Sequence, residues 1–382
     1  MKFSELNLSP PLVRAIQEKG YEQAFPIQEQ AIPAILAGKD VLGIAPTGSG
    51  KTAGFALPIL QKRKPKSAIK NRFINTLVLV PTRELALQVA TVFQSLSVHL
   101  THPVKTLAVF GGVSINPQMM ALSGTEILVA TPGRLLDLVA HHAVHLSEVA
   151  VLVLDEADKM LNLGFAEEIN RIFALLPAKR QNLLFSATLA DKVTEIKTRL
   201  LHEPVVITIA EKPETNQSEF IKQVAYRVSA ERKGPFLRYL IQQEQMTQVL
   251  VFVSSVRNAD NLVVKLNKNN LHAVALHGDK SQGARTEALR RFKTKQVRIL
   301  VATDLASRGI DIPVLPYVIN YDLPRSPKDY IHRIGRTGRA GATGQAISFI
   351  TPEDEHHFTI IQKKTGKKIE LLESASVNLH GV

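Results

Sequence analysis

The chain has 382 residues, 45% of them hydrophobic and 21% charged, which suits a soluble globular protein with two cores rather than one. Lysine and arginine number 47 against 34 aspartate and glutamate, and the formal net charge of +13 points to a polyanionic partner, nucleic acid before membrane. There is no cysteine, which excludes disulfides, thiolate zinc sites and cysteine nucleophiles. The 12 histidines are scattered, and the adjacent His141 and His142 do not share a helix face.

The opening Met1-Lys2-Phe3-Ser4-Glu5 lacks the apolar core of a secretory signal, and no apolar run is long enough to cross a bilayer, so a cytoplasmic location is expected. Residues 11–18 read as a helix, with Ser9 as its cap and Pro10 in the first turn. Short aliphatic strands are then expected at 40–45, 76–80, 106–110, 127–130, 149–154, 182–185 and 205–209. Such runs, separated by helical stretches, indicate a parallel sheet covered on both faces. Composition turns polar over 211–219 (EKPETNQSE), the linker. A second set of strands follows at 248–253, 273–276, 297–301, 318–321 and 345–350, with helices at 233–242, 258–269 and 282–293. The expected class is α/β: a first domain over 1–210, a second over 220–352, and a short basic tail over 353–382 carrying Lys363, Lys364, Lys367 and Lys368. The two domains show no close sequence repeat.

The first expected strand runs into Ala45-Pro46-Thr47-Gly48-Ser49-Gly50-Lys51-Thr52. Its glycines allow a tight turn with amide hydrogens aimed at phosphate, Lys51 can reach the terminal phosphates, and Thr52 can ligate magnesium. The helix that begins there adds its positive end. Asp155-Glu156-Ala157-Asp158 leaves a later aliphatic strand at its carboxyl end, where parallel sheets collect ligands. Asp155 is placed to hold Mg2+, and Glu156 to orient and polarise a water. Alone, two adjacent acids after a strand would be surface charge. Paired with a phosphate loop they describe nucleoside triphosphate hydrolysis.

The Asp155–Asp158 quartet resembles the signature of the DEAD-box family of ATP-dependent RNA helicases, and the resemblance runs from Phe3 to about Pro352 with the motifs in family order. It implies two tandem RecA-like domains with a cleft between them, ATP and Mg2+ as cofactors, and RNA as partner. Gly20-Tyr21-Glu22-Gln23-Ala24-Phe25-Pro26-Ile27-Gln28 resembles the adenine-recognition element, with Phe3 as its upstream aromatic. Gln28 would then read the adenine edge, for which an amide supplies both donor and acceptor, and Tyr21 would stack on the ring. Ser186-Ala187-Thr188 is similar to the family's coupling element, whose hydroxyls bond the acidic quartet, Asp158 included.

In His332-Arg333-Ile334-Gly335-Arg336-Thr337-Gly338-Arg339, the arginines Arg336 and Arg339 resemble fingers that reach the terminal phosphate when the domains close, and guanidinium forks suit that task. His332 and Arg333 resemble couplers to the acidic and Ser-Ala-Thr elements. Gly309 and Asp311 would lie near the nucleotide, and Thr303 would face RNA. In the first domain Pro81, Thr82, Arg83, Gly111, Gly112, Thr131, Gly133, Arg134 and a helix beginning at Leu135 match the family's RNA-backbone contacts, that helix acting as a wedge. In the second, Ser254, Gly278, Gln282 and Arg285 extend the track.

Backbone contact implies binding of single-stranded or duplex RNA with little sequence preference. The resemblance further implies local, non-processive unwinding or remodelling by a monomer, and a compact bacterial type linked to ribosome assembly or RNA turnover, with ribosomal or degradation-complex proteins as partners. Two other functions stay open on the sequence: a DNA helicase, and a non-enzymatic ATP-gated RNA clamp or scaffold. The clamp would require a broken Lys51, Glu156, Arg336 or Arg339, and all are intact.

Overall fold

The protein is described from a computed structural model, which covers residues 1–46, 48–63, 72–209, 221–304, 314–338 and 343–379. The expected linker 211–219 and the site candidates Thr47, Gly309, Asp311 and Arg339 lie outside the described residues. The chain divides into two compact units, Met1–Glu211 and Lys212–Val382.

In the first unit the elements are, in order, α1 (Pro10–Gln17), α2 (Pro26–Leu36), β1 (Val41–Ile44), α3 (Lys51–Lys62), β2 (Thr76–Leu79), α4 (Arg83–Leu96), β3 (Thr106–Val109), α5 (Asn116–Ala121), β4 (Ile127–Ala130), α6 (Pro132–Ala140), β5 (Val151–Leu154), α7 (Ala157–Asn162), α8 (Ala166–Ala174), β6 (Gln181–Ser186), α9 (Asp191–Leu200) and β7 (Val205–Thr208). Their strands form one seven-stranded sheet in the order β3-β4-β2-β5-β6-β1-β7. Every pairing is parallel, with Val41 opposite both Leu183 and Val205. Strands β2 and β4 are buried throughout because helices cover both faces. One apolar cluster, containing Ile27, Phe55, Phe93 and Phe185, fills one side. A second, with Leu77, Leu128, Leu152 and Met160, fills the other.

The second unit contains β8 (Ile221–Arg227), α10 (Lys233–Gln243), β9 (Val249–Phe252), α11 (Val256–Lys268), β10 (Ala273–Leu276), α12 (Gln282–Lys293), β11 (Ile299–Ala302), β12 (Tyr317–Asn320), α13 (Pro327–Ile334), β13 (Gly344–Ile350), α14 (Glu355–Thr365) and β14 (Leu371–Glu373). Its sheet is also seven-stranded and parallel, in the order β10-β11-β9-β12-β13-β8-β14. Counted from the first strand of each unit, the two orders are the same.

Three features differ from the sequence expectation. Ser9 precedes α1, but its hydroxyl makes no capping bond; instead its backbone N–H donates to Gln61 Oε1 at 3.0 Å. Strand β8 was not expected, because IKQVAYR interleaves polar residues with apolar ones. The expected tail after residue 352 is built into the second unit: Phe358, Ile361 and Ile369 are buried with Ile221, Tyr330 and Ile350, and β14 pairs with β8.

Candidate nucleotide and RNA sites

In the first unit the candidate loops leave the carboxyl ends of neighbouring strands. The phosphate loop follows β1, Ser186 closes β6, and Asp155 follows β5, so three adjacent strands carry the nucleotide candidates. Pro81, Gly111 and Thr131 follow β2, β3 and β4, so the other three adjacent strands carry the RNA candidates. One edge of one sheet presents both sets, side by side.

Gly48 and Gly50 have φ of +87° and +88°, the left-handed region that L side chains disfavour. A Cβ at Gly50 would overlap Gln28 Nε2 and come within 2.9 Å of Phe25 Cδ2. Gln28 is 3% exposed. Its Oε1 accepts from Phe25 N and its Nε2 donates to Gly50 O, each at 2.9 Å, so it clamps α2 to the phosphate loop. One amide proton and one lone pair remain, enough for a two-point contact with adenine. Tyr21 is 49% exposed, as a stacking ring must be. Phe3, at 4% exposed, packs in the core cluster that also contains Leu6, Leu12 and Ile27. Phe25, half-exposed beside Gly50, is the aromatic that the motif reading passed over.

Lys51 is buried, and its Nζ donates to the carbonyls of Ala45 (2.6 Å) and Pro46 (3.1 Å). Burial pulls its pKa down, opposed by Asp155 and Glu156. Asp155 is 2% exposed; burial pushes its carboxyl up to about 6 despite the Lys51 charge. Glu156 stands at φ +54° in the turn into α7, and Lys159 Nζ meets its Oε1 at 2.7 Å. Three oxygens here, Ser49 Oγ, Glu156 Oε2 and Asp158 Oδ1, are buried without a hydrogen bond. The Ser49 hydroxyl can donate to a phosphate tail, and carboxylate oxygens with unspent capacity fit Mg2+ and its water. Among the described residues no three acids or histidines converge into a ready cation cage. Magnesium suits that arrangement, because it binds through one or two carboxylates together with water and phosphate.

Thr188 Oγ1 donates to Asp158 Oδ2 at 3.3 Å, the expected link from the Ser-Ala-Thr element to the acids. Ser186 does not share it. Its buried hydroxyl donates to Thr188 O at 2.7 Å and shapes the turn instead.

The RNA candidates of this unit hold one another in place. Arg83 lies against Gly112 (φ +74°), where a Cβ would overlap its guanidinium. Arg134 Nη2 donates to Val113 O at 2.8 Å, while its buried Nη1 makes no hydrogen bond. Gln118 grips both backbone atoms of Phe110, at 2.9 and 3.2 Å. The hydroxyl of Thr82 accepts from Leu85 N at 3.3 Å as the cap of α4. The expected wedge helix starts at Pro132, not Leu135, so Gly133 and Arg134 lie in its first turn. Pro81 and Thr131 are buried, and Gly111 is half-buried.

In the second unit the candidates Ser254, Gly278 and Thr303 follow β9, β10 and β11, the same three positions of the sheet order. Ser254 donates through N and Oγ to Asp322 Oδ2 at 2.9 and 3.0 Å, and Asp322 also pairs with Lys233 at 3.1 Å. Gly278 is exposed, and Gln282 and Arg285 open α12 as buried residues. His332 is exposed and Arg336 half-buried. Arg333 departs from its expected coupling role. It is 2% exposed and binds Asp304 in two-point fashion (2.6 and 2.7 Å), Asn320 Oδ1 (3.1 Å) and Asp322 O (2.6 Å). Four of its five N–H donors are held within its own unit, from the last turn of α13.

The DEAD/DEAH box helicase profile matches residues 25–196, and the helicase conserved C-terminal domain profile matches residues 232–341. Over 378 residues the chain is 44% identical to the DEAD-box ATP-dependent RNA helicase CshA of Streptococcus pneumoniae, covering 99% of this chain and 71% of that one. The chain belongs to the DEAD-box ATP-dependent RNA helicase family. This helicase also resembles two solved structures. One is S. cerevisiae Dbp5 bound to RNA and ADP BeF3, at 30% identity and TM-score 0.81, covering 97% of this chain and 95% of that one. The other is a DEAD box protein from the hyperthermophile Methanococcus jannaschii, at 38% identity and TM-score 0.54, covering 97% and 99%. Among the described residues of this helicase, no helix is long and apolar enough to cross a membrane.

Proposed function

We propose that the protein opens short RNA duplexes locally, without long tracking, in steps gated by ATP. Gln28 and Tyr21 take the adenine, and the phosphate loop with Lys51 takes the phosphates. Thr52 and Asp155 would hold Mg2+, which when bound neutralises phosphate charge. Glu156 orients the attacking water. Arg336 and Arg339 add charge at the terminal phosphate once nucleotide and RNA are both bound, so that the two together assemble the active arrangement. Loops after β2, β3, β4, β9, β10 and β11 track the RNA backbone, which makes binding tolerant of sequence and selective for RNA.

The observation that supports this best is the shared sheet edge of the first unit, where nucleotide candidates occupy one run of three strands and RNA candidates the adjoining run. Closely placed loops give RNA a short path by which to influence hydrolysis. The cellular setting proposed is the cytoplasm, in ribosome assembly or RNA turnover, with the protein acting as a monomer.

The test is ATP hydrolysis by the purified protein alone, with single-stranded RNA, with duplex RNA and with matched DNA. Stimulation by RNA only, abolished by Glu156→Gln, is expected. Equal stimulation by DNA would favour a general helicase, and ATP binding without turnover would favour a clamp.

A further inference from the structure

Glu156 is held by a cation that the phosphate loop does not supply. Its backbone is left-handed, φ +54° and ψ +47°, an uncommon state for a residue with a side chain. Its carbonyl accepts from Lys159 N at 3.0 Å and Met160 N at 3.1 Å, which starts α7 directly beneath it. The first turn of that helix returns Lys159, three residues on, to the same side. There Lys159 Nζ meets Glu156 Oε1 at 2.7 Å, with the lysine side chain 23% exposed and the glutamate 8%.

The two oxygens of this carboxylate are therefore in different states. Oε1 is taken by an ammonium, while Oε2 is buried and makes no hydrogen bond. A carboxylate able to accept from water needs an oxygen in the second state. It also needs a reason not to swing away from its acidic neighbours Asp155 and Asp158, both buried beside it. A nearby cation supplies that reason. A lysine suits the task because its ammonium is a point charge that can occupy one oxygen and leave the other.

We propose that Lys159 is a positioning residue for hydrolysis, gripping Glu156 Oε1 so that Oε2 is presented to the attacking water. The inference rests on Glu156 being the water-orienting carboxylate. The contact of Lys159 in this site is with Glu156 Oε1, so its effect on hydrolysis passes through Glu156.

The test uses the full chain and RNA-stimulated ATP hydrolysis, with single-turnover rates for the slow forms. Four proteins are compared: wild type, Lys159→Met, Glu156→Gln and the double variant. In Lys159→Met, kcat is expected to fall about tenfold while KM for ATP stays within about twofold, the mark of an interaction that serves the chemical step. In the Glu156→Gln background, Lys159→Met is expected to change nothing further, because the carboxylate it positions is gone. A Lys159→Met protein with wild-type kcat overturns the inference. So does one that slows the Glu156→Gln form as much as it slows wild type. Glu156→Gln turning over at the wild-type rate would overturn the assignment of Glu156 itself. Should Lys159→Met fail to fold, Lys159→Gln, which is polar, uncharged and one atom shorter, is judged by the same outcomes.

Discussion

Gly50 is where the adenine element and the phosphate loop meet. Its φ of +88° and the overlap a Cβ would make with Gln28 Nε2 mean that any side chain must break the clamp or bend the loop. Gly50→Ala is expected to cost about 1–3 kcal/mol of local strain and to weaken nucleotide binding about tenfold or more. Titration with a fluorescent ATP analogue measures this, and unchanged affinity would show that the clamp does not set the loop. A second residue carries a pH dependence. Burial works to raise the pKa of Asp322, but Lys233 and the Ser254 hydrogen bonds outweigh it, and the net shift is downward. A lowered folded-state pKa adds stability above the unfolded value and loses it as pH falls through the folded one. Asp322→Asn should therefore destabilise the protein by roughly 3 kcal/mol at pH 7.5, with Lys233 left buried and unpaired. The deficit should begin to narrow as pH falls below the unfolded value of about 4, and should close only at lower pH, where the folded wild-type carboxyl takes its proton. Urea unfolding at both pH values decides it. Sequence revealed Lys51 and Asp155 because their motif is contiguous. Phe25 stood inside the adenine element with no role of its own assigned, and Lys159 and Asp322 are ordinary residue types whose placement comes from turns and tertiary contacts.

Among the elements, the short aliphatic strands with mostly buried residues were the easiest to read. Strands β4 and β10 have the expected bounds, because four uninterrupted apolar residues between helices have few alternatives. Strands β8 and β14 were hidden for different reasons. The first mixes Lys222, Gln223 and Arg227 into its run, and the second is only three residues long. Both belong to the part of the second unit that α14 seals. Phe358, 2% exposed, packs in the cluster of Tyr330, Ile350 and Ile361. Phe358→Ala should cost about 3–5 kcal/mol, read as a lower urea midpoint for the second unit. A midpoint unmoved by this change would return residues beyond 352 to the status of a dispensable tail.

At the scale of the whole molecule, composition and strand pattern pointed to two parallel α/β sheets, while the strand order was beyond them. Order depends on which crossover each helix makes, and neither Thr76–Leu79 nor Val151–Leu154 states that its neighbour will be the other. Beyond a similar class of domain, the sequence displayed no close repeat between its halves. The folded chain does, in a shared strand order and in two pairs of charges at matching places. Lys51 and Lys233 each begin the helix after the first strand of their sheet. Asp155 and Asp322 each lie just past the fifth. In the first half the lysine rests on loop carbonyls; in the second it is joined to its aspartate at 3.1 Å. The halves thus follow one plan in strand order and in the placing of these charges. One kept its charges apart, available to an exchangeable visitor. In the other they neutralise each other and form a fixed strut within the scaffold.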